Sequence, residues 1–154
     1  MTAAAREPVE MRVKEQWQYQ LRAYLTDEAA EVARIDRNDS TLHPLKEILD
    51  KHHATLVSQF DAFQSYVAAA EKEGPESFPL YQWTKATIED PVKRAKHSRS
   101  FALRVSGKEV YPREIADKLE ADLQRLVGGS LVTRISRHDT NPANNLPIPS
   151  EYRA

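Results

Sequence analysis

Apolar side chains recur at steps of three and four residues in the first part of the chain. This spacing lines them along one face of a helix and predicts a helical segment from about Pro8 to Ile35. Thr26 and Asp27 both favour helix caps, so the segment can divide into two helices there. The apolar stripe consists of Val13, Trp17, Leu21, Tyr24, Leu25, Val32 and Ile35.

A second stripe, over residues 45–70, has the same spacing and predicts a long helix that ends near residue 73. Pro44 suits a first helical position, and Gly74-Pro75 is a typical stop. A short polar connection joins the two segments, which favours an antiparallel pair of long helices. The second stripe closes either within the chain or against another chain. Its residues are Leu45, Leu49, His52, Leu56, Phe60, Phe63, Val67 and Ala70.

The pattern changes after residue 75. A short helix is expected over residues 81–88, and Asp90-Pro91 is a plausible start for another. Residues 100–105 alternate between apolar and polar side chains, a helical pattern follows from Pro112 to Gly128, and residues 131–136 alternate again. Strand, helix and strand are therefore predicted, as a small two-stranded sheet under a helix. Helix throughout is the competing interpretation, because short apolar runs fit both periods.

These elements give the expected fold class, which is mainly α. Residues 1–74 form the long-helix pair, and residues 75–136 form a smaller mixed region packed on it as one domain. Residues 137–154 contain three prolines and no regular period, so we expect an extended tail.

Three of the five histidines lie in the segment HPLKEILDKHH, residues 43–53. His52 and His53 are neighbours and point about 100° apart on a helix, while His43 lies too far away to share a metal ion with them. Asp50 and His53 have a spacing found in di-metal helix bundles, but the chain has no second copy of it. We expect packing rather than a metal or cofactor site, with His52 buried and bonded to a polar group of the first helix.

Charge is distributed unevenly along the chain. Residues 1–91 carry 16 acidic and 10 basic side chains, whereas residues 92–154 carry 7 acidic and 12 basic ones. The basic half either attracts an acidic partner or neutralises the first half. The candidate partner- or anion-binding residues are Lys93, Arg94, Lys96, Arg99 and Arg104, joined by Arg134 and Arg137 if the strands pair.

Several kinds of site are excluded by composition. The chain has no cysteine, which rules out disulfides, thiolate zinc sites and cysteine nucleophiles. Its four glycines are too sparse for a phosphate-cradling loop. An apolar run long enough to cross a membrane and a signal-peptide core are both lacking, so we expect a cytoplasmic protein.

The sequence predicts a non-catalytic interaction protein, an accessory or structural subunit that docks on a larger protein. The alternatives are a nucleic-acid-binding domain that uses residues 93–104, and a stand-alone enzyme without a recognisable motif. Self-association stays open. Large aromatic side chains are typical interface anchors, and the candidates are Trp17, Tyr24, Tyr81, Trp83 and Tyr152.

Overall fold

Alternating buried and half-buried side chains place residues 19–25 in a strand, the first of four. The computed structural model describes residues 17–144. Its strands are β1 (Tyr19–Leu25), β2 (Ala54–Ser58), β3 (Ser100–Val105) and β4 (Val132–Asp139). Its α-helices are α1 (Asp27–Ile35), α2 (His43–Lys51), α3 (Gln59–Glu73), α4 (Tyr81–Glu89), α5 (Pro91–Ser98) and α6 (Arg113–Gln124).

The strands form one sheet in the order β2-β3-β1-β4, and each pair of neighbours is antiparallel. Helices α1 and α2 connect β1 to β2, and α6 connects β3 to β4. This order and these connections are those of the ferredoxin-like, or split βαβ, topology. Residues 59–99, which contain α3, α4 and α5, stand where a short hairpin would otherwise join β2 to β3.

One face of the sheet carries the hydrophobic core. Leu21, Ala23, Phe101 and Leu103 are fully buried there, together with apolar side chains of α1, α2 and α6. Tyr111 ties this core to two strands, because its hydroxyl accepts from the Leu21 N–H and donates to the Leu103 carbonyl. The core thus fixes which side chains point to the opposite face.

The opposite face, here called the polar face, is defined by the strand registers. Helices α3 and α5 lie against part of it. Because side chains alternate across a strand, the residues between the core positions share this face. They are Gln20, Arg22 and Tyr24 on β1, Thr55 and Val57 on β2, Ser100, Ala102 and Arg104 on β3, and Arg134, Ser136 and His138 on β4.

The expected mainly α, all-helical fold class is wrong, since residues 17–144 form a mixed fold with six α-helices around a four-stranded sheet. From residue 19 onwards the first long helix is replaced by β1 and α1, with Thr26 capping α1 by accepting from the Ala29 N–H. Residues 8–16 of the predicted helix lie outside the described residues. Leu21, Tyr24 and Leu25 fit a helical stripe, but Ala23 is fully buried opposite Phe101 and Ile135. Cross-strand pairing on both sides of β1 decides in favour of the strand.

The second long helix is also wrong, because it is interrupted at residues 52–58. His53 adopts a left-handed conformation with φ 55°, which ends α2 and turns the chain into β2. The strand sequence ATLVS contains β-branched residues that favour extended backbone. The apolar stripe over residues 45–70 therefore belongs to three elements rather than one helix.

The elements after residue 75 agree better with those that the sequence predicts. The short helix is confirmed as α4, and Asp90 caps α5 by accepting from the N–H groups of Val92 and Lys93. The strand–helix–strand order over residues 100–136 is confirmed, but the two-stranded sheet is wrong, because β1 lies between β3 and β4. Strand β4 also extends to Asp139, into the expected tail. Residues 145–154 lie outside the described part.

Candidate functional site

Three of the basic residues singled out in the sequence converge at one end of the polar face. Lys96 and Arg99 follow each other closely at the end of α5, and Arg134 lies on β4. They line a cleft of about 350 Å³ around Tyr24 of β1. Asp27 is the acidic residue in this lining, and its carboxylate pairs with Arg99 at 3.2 Å. The cleft therefore keeps an excess of positive charge.

Tyr24 and Arg134 form a stacked pair in this cleft. The guanidinium of Arg134 lies 3.9 Å from the centre of the Tyr24 ring, a favourable cation–π distance. Burial by itself would raise the pKa of the Tyr24 hydroxyl. Hydrogen bonds with Ser100 and Ser136 and the nearby positive charges outweigh burial, so this pKa lies below its usual value. The positive charges of Arg134 and Lys96 thus act on this hydroxyl beside its hydrogen bonds.

Arg22 occupies the middle of the polar face, between Gln20 and Tyr24 on β1. It is half-buried, and its Nε donates to the Gln20 side-chain oxygen at 3.1 Å. Among residues 17–144 it makes no ion pair with a carboxylate. Burial lowers its pKa, because the charged form loses hydration there. Arg22 thus presents a partly desolvated positive charge that an anion would neutralise.

Two half-buried histidines face Arg22 from different elements. Burial lowers the pKa of His97 on α5, and the charges of Lys96, Arg22 and Lys93 lower it further. Burial also lowers the pKa of His138 on β4, with Arg22 and Arg134 adding to the effect. Asp139 opposes the shift of His138. Both imidazoles are therefore neutral at pH 7, and both lie in a positive potential.

The remaining basic residues singled out in the sequence have other surroundings. Lys93 is exposed on α5, and Arg94 lies 5.0 Å from the centre of the Phe60 ring. Arg104 is on the polar face but pairs with Glu109 at 3.0 Å. Arg137 points to the core side of β4, where it binds Asp117 and Glu120 of α6. Arg134 and Arg137 therefore do not share a surface.

The expected aromatic anchors are largely engaged within the chain. Trp83 packs edge-on against Phe63, and the Tyr81 hydroxyl donates to Glu71. Trp17 is half-buried, Tyr24 is in the cationic cleft, and Tyr152 lies outside the described residues.

Sequence reasoning did not select Arg22, Ser136 or His138. The sequence feature that indicates a strand there is the alternation, at every second position, of Tyr19, Leu21, Ala23 and Leu25. Interpreting residues 19–25 as a strand would have placed Arg22 and Tyr24 on one face. The pairing that brings His138 beside them depends on β1 lying between β3 and β4.

The histidine segment contributes to packing around α2 and α6. The His52 Nε2 lies 2.7 Å from the Asp122 Oδ2, and Lys51 donates to the same oxygen at 2.9 Å. The expected partner on the first helix is therefore wrong, since the partner is on α6. Within residues 17–144, no group of three or more histidine, aspartate or glutamate side chains is arranged to hold a metal ion.

Replacing Asp122 with asparagine is expected to weaken the fold at neutral pH and to flatten its acid sensitivity. Hydrogen bonds from His52 and Lys51 lower the pKa of Asp122 to about 2 from an ordinary value of 3.8. A lowered folded-state pKa stabilises the protein above pH 3.8, and that contribution is lost as pH falls towards 2. Urea midpoints of wild type and D122N should therefore converge over this window. Glu47→Gln, at an exposed position of α2, is the control. A gap between the midpoints that stays constant with pH would contradict the assignment.

Comparison with protein-family models, with curated proteins and with solved structures finds no match. Within the described residues, no helix is both long enough and apolar enough to cross a membrane. Residues 17–144 have the ferredoxin-like strand order, with α3, α4 and α5 between β2 and β3 and a cationic, partly covered sheet face.

Proposed function

We propose that this protein is a non-catalytic binding module that holds single-stranded nucleic acid on its polar face. The observation that carries the proposal is the convergence of Lys96, Arg99 and Arg134 around Tyr24. Beside them lies Arg22, which has no carboxylate partner among the described residues. These side chains come from three separate elements of the fold. A cytoplasmic location belongs to the same proposal.

The charge of this face suits a polyanion. Lys96, Arg134 and Arg22 make no ion pair with a carboxylate among residues 17–144. Unpaired cations attract phosphates and release their counterions, which gives sequence-independent affinity. The Ser136 hydroxyl lies on the same face of β4 as Arg134 and can donate to a phosphate oxygen, whereas the Thr133 hydroxyl donates to the Tyr24 carbonyl at 2.9 Å.

The shape of the face favours a single strand over a duplex. Arg22, Tyr24 and His138 on the sheet and His97 on α5 are all half-buried. A thin, flexible chain with unstacked bases can reach them, whereas a rigid duplex contacts mainly exposed groups. The Tyr24–Arg134 pair also offers a planar surface of the kind on which bases stack.

The first test is a titration of fluorescein-labelled oligouridylate and oligothymidylate with the full chain, read by fluorescence anisotropy. We expect saturable binding at low salt that weakens as salt rises. The corresponding labelled duplex should bind more weakly. If neither single-stranded probe binds at 50 mM salt, or if the duplex binds as tightly as they do, the proposal is overturned.

Binding is also expected to tighten as pH falls below the ordinary histidine value of 6.5. His97 and His138 are neutral above that pH, and an anion beside them favours their protonated, positively charged forms. The groups that face them are Arg22, Lys93, Lys96, Arg134 and Asp139, and none of the four cations titrates in this range. His138→Gln should reduce the pH dependence, whereas His43→Gln, at an exposed position of α2, should not. Affinity that is flat from pH 8 to pH 5.5 would contradict this role.

Docking on a larger protein is the second candidate, and two exposed apolar side chains favour it. Ile35 at the end of α1 is 82% exposed, and Val92 at the start of α5 is 79% exposed. If they anchor a protein partner, a stoichiometric protein will copurify with the tagged chain after nuclease treatment. The double variant Ile35→Ser, Val92→Ser should then lose it. If the double variant still copurifies with that partner, Ile35 and Val92 do not anchor it.

A further inference from the structure

We infer that a second cleft on the polar face, between the sheet and α3, receives one unpaired nucleobase of the bound strand. The cleft has a volume of about 210 Å³. Its lining includes Val57 and Ala102 from the sheet and Ala62 and Phe63 from α3. This inference rests on the proposed function, because it names what one segment of the same ligand does.

The floor and one wall of the cleft are apolar. Val57 and Ala102 are register partners on β2 and β3, so they form a continuous floor. Phe63 supplies an aromatic wall and is held by edge contacts with Trp83 and His97, at ring distances of 6.1 Å and 5.0 Å. A flat ring with apolar faces fits such surroundings, because aromatic pairs stack or meet edge to face.

Polar groups stand at the edges of the cleft and can both donate and accept. The Arg22 Nε donates to the Gln20 side-chain oxygen, and the Gln20 amide donates to the Glu109 carbonyl at 3.0 Å. Arg104 and Glu109 form an ion pair at 3.0 Å. A nucleobase edge carries donors and acceptors of the same kinds.

The charge of this cleft separates it from the cationic cleft around Tyr24. Glu109 neutralises Arg104, which leaves Arg22 as the remaining cation of this lining. The cleft around Tyr24 keeps both Lys96 and Arg134 without a carboxylate partner among residues 17–144, so a phosphate group gains more there. A nucleobase therefore suits this cleft, and the backbone phosphates of the same strand suit the cationic cleft around Tyr24. Arg22 and Tyr24 are two residues apart on β1, which is roughly 7 Å along a strand. One extended strand can therefore occupy both clefts.

The test fills the cleft from its floor and from its helical wall without changing the charge of the protein. Ala102→Leu adds a side chain from the floor, and Ala62→Leu adds one from an exposed position of α3. Thr55→Leu is the matched control, because it adds a similar side chain to the polar face outside this cleft. The probes are labelled oligouridylate and inorganic polyphosphate, which has the phosphates without the bases.

We expect each filling variant to weaken oligouridylate binding by about five- to 150-fold, the effect of losing one stacked base. The filling variants should bind polyphosphate with wild-type affinity. The control Thr55→Leu should bind both probes with wild-type affinity. If both filling variants bind oligouridylate with wild-type affinity, this inference is overturned while the proposed function stands. The same holds if the variants lose affinity for oligouridylate and for polyphosphate equally. If wild type binds neither probe, the proposed function itself fails. Should Ala102→Leu perturb the fold by circular dichroism, Ala62→Leu decides the result.

Discussion

Replacing Ala23 with aspartate is expected to reduce the free energy of unfolding by about 3–5 kcal/mol, the effect of leaving a charge buried without a partner. Ala23 is 0% exposed and lies between Phe101 on β3 and Ile135 on β4. A carboxylate there has apolar neighbours on both sides. Urea unfolding of the full chain, followed by far-UV circular dichroism, measures the loss.

The control for this variant is Thr55→Asp on β2. Thr55 is exposed on the polar face, so the same substitution should change stability only by about 1 kcal/mol or less, the range of strand propensities. A helix over residues 8–35 would instead place Ala23 off the apolar stripe and make it tolerant of aspartate. Equal stabilities of A23D and wild type would therefore contradict the strand.

Removing two cations of the cleft is expected to have the largest effect on binding. The double variant Lys96→Ala, Arg134→Ala should weaken oligouridylate binding at low salt and flatten its salt dependence. Each lost phosphate contact on a single strand reduces the slope of log affinity against log salt by about 0.7, so two reduce it by about 1.4. Anisotropy titrations between 50 and 200 mM salt measure this slope.

Lys72→Ala, Lys118→Ala is the matched control, because it removes the same net charge from exposed positions on α3 and α6. If both double variants lose slope equally, binding follows net charge rather than the cationic cleft. A slope unchanged in the cleft variant would show that Lys96 and Arg134 make no phosphate contacts.

The basic residues illustrate how far a sequence predicts a site. The absence of acidic residues between Asp90 and Glu109 is visible in the chain, and it selected Lys96 and Arg99. Arg134 was included on the condition that strands pair. The tertiary structure places Arg134 against Tyr24 and sends Arg137 to the opposite face, because neighbouring odd and even positions of β4 face opposite ways.

The local elements that the sequence determined are those with strong local signals. Asp90 before Pro91 sets the start of α5, Pro112 precedes α6, and the alternation in residues 100–105 gives β3. The capping hydrogen bonds of Asp90 in α5 and the regular side-chain periods of α6 and β3 act over a few residues, so no distant partner is needed.

Only the tertiary structure decided the sheet and the site. Residues 19–25 and 54–58 fit helical and extended periods alike, and pairing with β3 settles both as strands. The burial of Leu21 and Ala23 against distant strands then forces Arg22 and Tyr24 onto the polar face. Long-range pairing is invisible in a short window of sequence, since its stabilising contacts come from residues far along the chain.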